Sequence, residues 1–159
     1  MKKNNWLNNF LVSLILSVFL SACNEESFYE KTYPLNNAKW VYGDSLKFEI
    51  EVADTLQYYD FYLTFRNTNA YSYSNVFFFL DSYYPNNDFA RDTIECPLAN
   101  PDGRWLGKNS GEHIDNNILF KRKVRFPKAG NYVFSFNHAM RQDTLKEIVD
   151  FGFKIKKHQ

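Results

Sequence analysis

The sequence predicts an all-β chain, an antiparallel β-sandwich of immunoglobulin-like or jelly-roll-like type, after a lipoprotein signal peptide. Three observations point to the sandwich. Apolar residues recur at every second position in several separate runs, the spacing that lines one face of a strand. The runs are separated by clusters of Gly, Pro, Asn and Asp, which reverse a chain without a helix. Aromatic residues form 19% of the chain, with 16 Phe and 11 Tyr, and such bulk fills the space between two sheets.

The first element is the signal. Met1-Lys2-Lys3 gives a basic start, residues 10–20 an apolar core, and Leu20-Ser21-Ala22-Cys23 its close. The core is shorter than the roughly 20 residues that a membrane-spanning helix requires. A cut by the ordinary secretory peptidase needs no cysteine, whereas Leu-Ser-Ala-Cys matches a lipobox. Cys23 is therefore the expected first mature residue and the lipid attachment site. Its thiol would take a diacylglycerol and its amine a third acyl chain. Each buried methylene contributes about 0.8 kcal/mol and two chains already anchor stably. The predicted organisation is residues 1–22 as signal peptide, 23–40 as lipidated cysteine and tether, and 41–159 as the sandwich.

The strands follow in order. Leu46, Phe48, Ile50 and Val52 alternate with Lys47, Glu49 and Glu51; Tyr59, Phe61, Leu63 and Phe65 alternate with Asp60, Tyr62, Thr64 and Arg66. Both read as half-buried strands. Val76-Phe77-Phe78-Phe79-Leu80 is apolar on both faces, as in a central strand covered on two sides or on one side by a partner. Ile94 marks a short strand, and residues 118–126, 132–136 and 149–155 supply three more. The inward set read from this period is Phe48, Ile50, Phe61, Leu63, Phe65, Phe134, Phe136, Phe151 and Phe153. Turn chemistry separates the runs at residues 42–45, 67–69, 84–87, 100–103 and 128–131.

Composition narrows the function. The whole chain has a formal charge of +1, and the signal contains Lys2 and Lys3 without an acid, so the mature part is close to neutral. That offers nothing to nucleic acid. The cluster Lys121-Arg122-Lys123-Val124-Arg125 reads as a solvated strand face. With Cys23 acylated, Cys96 has no partner for an internal disulfide and reads as a buried structural residue.

Chemistry is sparse. Glu112-His113-Ile114-Asp115 reads as a polar loop whose spacing fits no common zinc site. His138 follows Phe134 and Phe136 at strand period and reads as a core-side histidine with a hydrogen-bond partner. No nucleophile elbow, phosphate loop or dinucleotide fingerprint occurs. No catalytic, cofactor-binding or metal residues are assigned, and no small-molecule substrate is expected. The segment of note is Asn100-Pro101-Asp102-Gly103-Arg104-Trp105-Leu106-Gly107-Lys108, a turn presenting Arg and Trp, residue types enriched at interface hot spots. Asp102, Arg104, Trp105 and Lys108 are the candidate protein-contact residues. Two readings of Trp105 stay open, a cap on the sandwich core and an anchor for a partner.

At these residues the chain resembles the gliding motility lipoprotein GldH family of the Bacteroidota. The resemblance rests on Cys23; Arg66-Asn67, Tyr71 and Ser74-Asn75; Tyr84-Pro85; Pro101-Asp102-Gly103-Arg104-Trp105-Leu106-Gly107; Val124-Arg125-Phe126-Pro127 with Gly130-Asn131-Tyr132; and Ala139-Met140-Arg141. The chain departs at Glu95-Cys96-Pro97, where the family pattern has no fixed cysteine. The resemblance implies a non-enzymatic outer-membrane lipoprotein needed for gliding and for type IX secretion, with partners in that machinery. Glu25-Glu26 is a short acidic run for a surface-export signal, so the periplasmic face is expected. The alternative is a surface glycan-binding lipoprotein, with a row of exposed aromatics beside Trp105. A hydrolase would need two carboxylates facing each other across a cleft.

Overall fold

The computed structural model describes residues 27–159; the predicted signal peptide, Cys23 and the first tether residues lie outside them. The described chain forms β1 (Tyr29–Pro34), β2 (Lys39–Val41), β3 (Leu46–Val52), β4 (Tyr58–Thr68), β5 (Asn75–Tyr83), β6 (Phe89–Pro97), β7 (Lys108–Ser110), β8 (His113–Arg125), β9 (Gly130–His138), β10 (Thr144–Lys146) and β11 (Ile148–Lys157). One sheet runs β1-β11-β4-β8-β7, the other β3-β9-β5-β6, and β2 pairs with β10.

Among the longer strands, β1 pairs with β11, β3 with β9, β4 with β8 and β5 with β6, all antiparallel. First-with-last nesting across two sheets is the jelly roll, a double Greek key. Of the two sandwich types expected, the strand order is that of the jelly roll and not of the immunoglobulin fold.

The core is aromatic. All nine residues expected to face inward are buried. Phe153 sits among Phe61, Phe134 and Phe136 at ring-centroid distances of 5.5, 5.3 and 5.3 Å. Trp40 lies 4.9 Å from Phe151. Tilted and edge-on pairs dominate, the arrangement in which ring edges meet ring faces.

Several expectations need correction. The sandwich begins at β1 and not at residue 41: Tyr29 and Tyr33 pack on Phe153 and Phe48, and Trp40 is fully buried. Residues 29–40 are therefore domain and not tether. Ile94 belongs to a nine-residue edge strand, β6. Outward-facing Phe77 and Phe79 of β5 are half-buried, and among the described residues no second sheet covers this outer face, so of the two readings of this strand the one with a sheet on each side does not hold; the Arg91 guanidinium lies 5.6 Å from the Phe79 ring centroid. His113 to Asp115 open β8 and pair with β7 around Gly111; they are not loop residues, and Asp115 accepts a hydrogen bond from Ser110. The alternation at 121–125 breaks at a bulge where Asp60 accepts the Lys123 N–H at 2.8 Å.

Strand register gives the sandwich two ends. The proximal end, where the described chain begins, gathers Phe28, residues 53–57, 84–88, 126–130 and the C-terminus. The distal end gathers residues 42–45, 67–74, 98–112 and 139–147. At the proximal end the Tyr132 hydroxyl donates to the Lys128 carbonyl at 2.7 Å and accepts the Lys128 N–H at 3.2 Å, a tyrosine corner that pins the turn before β9.

Candidate functional site

The distal end is built from turn chemistry upward. After β6, Leu98 and Ala99 donate their N–H groups to the Ser74 carbonyl at 2.8 and 3.0 Å. The chain then reverses at residues 100–104. Gly103 has φ of +83°, a conformation open to glycine, and its N–H reaches the Asn100 carbonyl at 2.9 Å. Asn100 N–H bonds the Arg104 carbonyl, and Leu106 N–H bonds the Leu98 carbonyl, both at 2.8 Å. These bonds fold residues 98–106 into a small hairpin with a bridge between Ala99 and Trp105.

The hairpin sorts its side chains. Trp105 is half-buried and packs against the core. Asp102, Arg104, Leu106 and Lys108 are exposed. Asp102 holds Arg104 twice, through the backbone N–H at 3.1 Å and Nε at 2.8 Å. An ion pair this exposed contributes little to stability, but it fixes where the guanidinium points.

A buried polar seat lies behind the hairpin, and periodicity could not reveal it. Asn116 Nδ2 donates to Asn67 Oδ1 at 2.8 Å and to the Phe65 and Ile114 carbonyls at 3.1 and 3.2 Å. Gly107 lies on this seat with no room for a side chain. A Cβ there would stand 2.6 Å from Asn116 Oδ1, 2.6 Å from Ile114 Cγ2 and 2.7 Å from the Asp115 carbonyl. Gly107→Ala should destabilise by about 1–3 kcal/mol, the usual range for overpacking, in chemical denaturation. An unchanged midpoint would mean that the hairpin is not seated there.

Beside the hairpin, Tyr73, Phe77, Ala139, Met140, Arg141 and Gln142 line an open apolar pocket of about 430 Å³. Met140 Sδ accepts the Phe77 N–H at 3.4 Å, and Gln142 donates to the Tyr73 hydroxyl. Arg66-Asn67, Tyr71, Ser74-Asn75, residues 101–107 and 139–141, all segments that carry the resemblance, thus meet at the distal end. Tyr84-Pro85, residues 124–127 and 130–132 meet at the proximal end, where Tyr84 and Tyr132 pack at 5.6 Å.

Titratable groups are held by structural partners. Arg66 pairs with buried Asp150, whose carboxylate raises the guanidinium pKa through hydrogen bonding and charge. Asp81 is paired twice with Arg91, at 2.5 and 2.7 Å. Cys96 is fully buried and its thiol is pushed up to about 12, chiefly by desolvation, which leaves it unreactive. His138 is buried as expected, but neither ring nitrogen has a well-formed hydrogen bond among the described residues; Trp40 and Tyr42 pack edge-on at 6.0 and 5.8 Å. Burial lowers its pKa against a weaker opposing pull from the Trp40 backbone.

That histidine gives the fold a pH dependence. An unfolded imidazole takes its proton near pH 6.5 and the folded one only at lower pH, so the unfolded chain binds more protons and stability falls below about pH 6.5. The melting temperature should drop between pH 7.5 and 5, and His138→Leu should remove much of that drop. An identical slope in the variant would contradict the assignment.

Known proteins supply the family. The GldH lipoprotein family profile matches residues 27–155. A gliding motility lipoprotein GldH homolog of Christiangramia forsetii is 30% identical over 155 residues, covering 93% of each chain. The gliding motility lipoprotein GldH of Flavobacterium johnsoniae is 24% identical over 157 residues, covering 94% of this chain and 97% of its own. Among solved structures, TmCBM61 in complex with beta-1,4-galactotriose overlaps 81% of this chain and 82% of its own at 12% identity, with a TM-score of 0.32. An overlap that slight has no bearing on function.

Proposed function

Because the chain belongs to the GldH lipoprotein family, we propose that it supports gliding motility and the type IX secretion that gliding depends on, as a non-enzymatic lipoprotein of the outer membrane. Acylated Cys23 holds it to the periplasmic face, and its work is done through protein contacts with gliding and secretion machinery.

One observation carries this reading. The hairpin at residues 98–106 presents Asp102, Arg104 and Leu106 on a rigid polar seat, at the end of the sandwich opposite the anchor. Rigid presentation of Arg beside apolar surface suits an interface hot spot. Trp105 combines the two roles open to it, with part of its surface against the core and part free for a partner. The carboxylates in the groove between β1, β4, β8 and β11 all have partners. Asp150 is paired with Arg66, Asp115 is bonded to Ser110, and Glu30 accepts from Ser27.

Glycan binding is the weaker reading. The exposed rings of Tyr83 and Phe89 pair at 5.2 Å toward the proximal end, on the outer face of the β3-β9-β5-β6 sheet, while exposed Tyr42 and Tyr73 stand at the distal end, so the exposed rings are divided between the two ends. The test is genetic. Deleting the gene should abolish spreading and single-cell gliding and lower the amount of secreted cargo, with both restored by the wild-type copy. Normal gliding and secretion in the deletion strain would refute the proposal.

A further inference from the structure

The proximal end has a chemistry of its own. β1 starts beside the end of β11, with Tyr29 opposite Ile155; β11 ends with Lys157 beside Tyr59, and β4 starts with Tyr58 beside Arg125. The chain therefore joins the sandwich among basic residues. Phe28 fixes the spot, its ring 4.8 Å from Tyr59, which in turn lies 5.3 Å from Phe126.

Four residues separate Phe28 from Cys23, five steps that span at most roughly 18 Å of extended chain. If Cys23 is acylated, that length holds this end against the headgroups, within about two Debye lengths at physiological salt. Arg122, Lys123, Arg125, Lys128 and Lys157 are exposed here, with Lys156 beside them. The bulge at Asp60 brings Arg122 and Lys123 out together, because the Asp60 carboxylate bonds the Lys123 N–H. The same carboxylate faces His158 Nδ1 at 3.0 Å, so it is occupied inside the fold. Among the described residues of this end, Glu51, Asp54, Asp60 and Asp88 oppose these cations and are fewer. Leu56 is 80% exposed and Tyr58 39% exposed. Lys123 Nζ stands 5.4 Å from the Tyr58 ring centroid. Apolar and aromatic tips among Lys and Arg suit a membrane interface.

We propose that the proximal end docks on anionic phospholipid, with Arg122, Lys123, Arg125 and Lys157 on headgroup phosphates and Leu56 and Tyr58 at the interface, so that the sandwich stands upright with its distal hairpin pointing away. This rests on the Cys23 anchor proposed above. Docking turns a loose tether into a fixed orientation and removes part of the ordering cost of distal contacts.

The lipidated protein is reconstituted into vesicles containing phosphatidylglycerol, or phosphatidylcholine alone. A donor fluorophore is placed on a thiol introduced by Ala53→Cys at the proximal end or Ser72→Cys at the distal end; Cys96 is fully buried, so the introduced thiol takes the label. Energy transfer to a lipid-phase acceptor should be stronger from position 53 than from position 72 on phosphatidylglycerol vesicles. That difference should shrink on phosphatidylcholine, in 1 M salt where screening acts within about 3 Å, and in the Arg122→Gln/Arg125→Gln/Lys157→Gln variant, while the protein still floats with the vesicles. Flotation with equal transfer from both positions, or with a difference indifferent to lipid charge, salt and substitution, overturns docking and leaves the anchor standing. Failure to float overturns the anchor, and docking with it.

Discussion

Phe153→Ala is expected to cost about 3–5 kcal/mol, the usual range for deleting a buried ring. Phe153 is fully buried and lies 5.7 Å from Phe48 and 6.1 Å from Phe120, in addition to the three rings already named. Neighbours that are themselves large and wedged edge-on collapse poorly into the space, which puts the cost toward the upper part of the range. A domain of this size has about 5–15 kcal/mol in total, so a substantial share of its stability depends on one side chain. Urea denaturation followed by far-ultraviolet circular dichroism measures the loss. A cost below about 1 kcal/mol would mean that β11 does not run through the centre of this core.

Cys23→Ala should have the larger effect on function. Without the thiol no acyl chain can be attached, and the several kcal/mol of membrane affinity that each chain contributes at about 0.8 kcal/mol per methylene are lost together. The described domain has no compensating anchor of that strength; its basic proximal end acts only within screening distance of a surface. The precursor should stay uncleaved, palmitate labelling should vanish, and gliding should fail although the sandwich itself is untouched. Unchanged labelling would end the lipoprotein assignment for this residue.

The strands that alternate strictly were legible in the sequence. Phe48 and Ile50 in β3, Phe61, Leu63 and Phe65 in β4, Phe134 and Phe136 in β9 and Phe151 and Phe153 in β11 all face the core, because a half-buried strand requires that period. β1, β2, β7 and β10 were not legible. A three-residue strand such as the one holding Trp40 has no period to read, and β1 shows only two tyrosines four residues apart. The start of β8 looked like a loop because its buried positions include Asn116, a polar residue satisfied by Asn67 from 49 positions away. Ile114 between His113 and Asp115 was the available signal. The hairpin at the distal end was visible from Asn100-Pro101-Asp102-Gly103, whereas its seat was hidden: the reason for Gly107 is a contact with Asn116 and Ile114 on another strand. The hydrogen-bond partner expected for His138 is not formed; its ring instead packs edge-on with Trp40 and Tyr42.

The central proposal is that an anchored domain works through its distal hairpin. Arg104→Ala/Leu106→Ala tests it most directly, because both side chains are exposed and substitutions at such positions usually change stability by no more than about 0.5 kcal/mol. The account predicts a melting temperature close to wild type, normal acylation, and loss of both gliding complementation and co-purification of secretion-machinery components. A variant that folds, is acylated, and restores gliding with all of its co-purifying partners would contradict it.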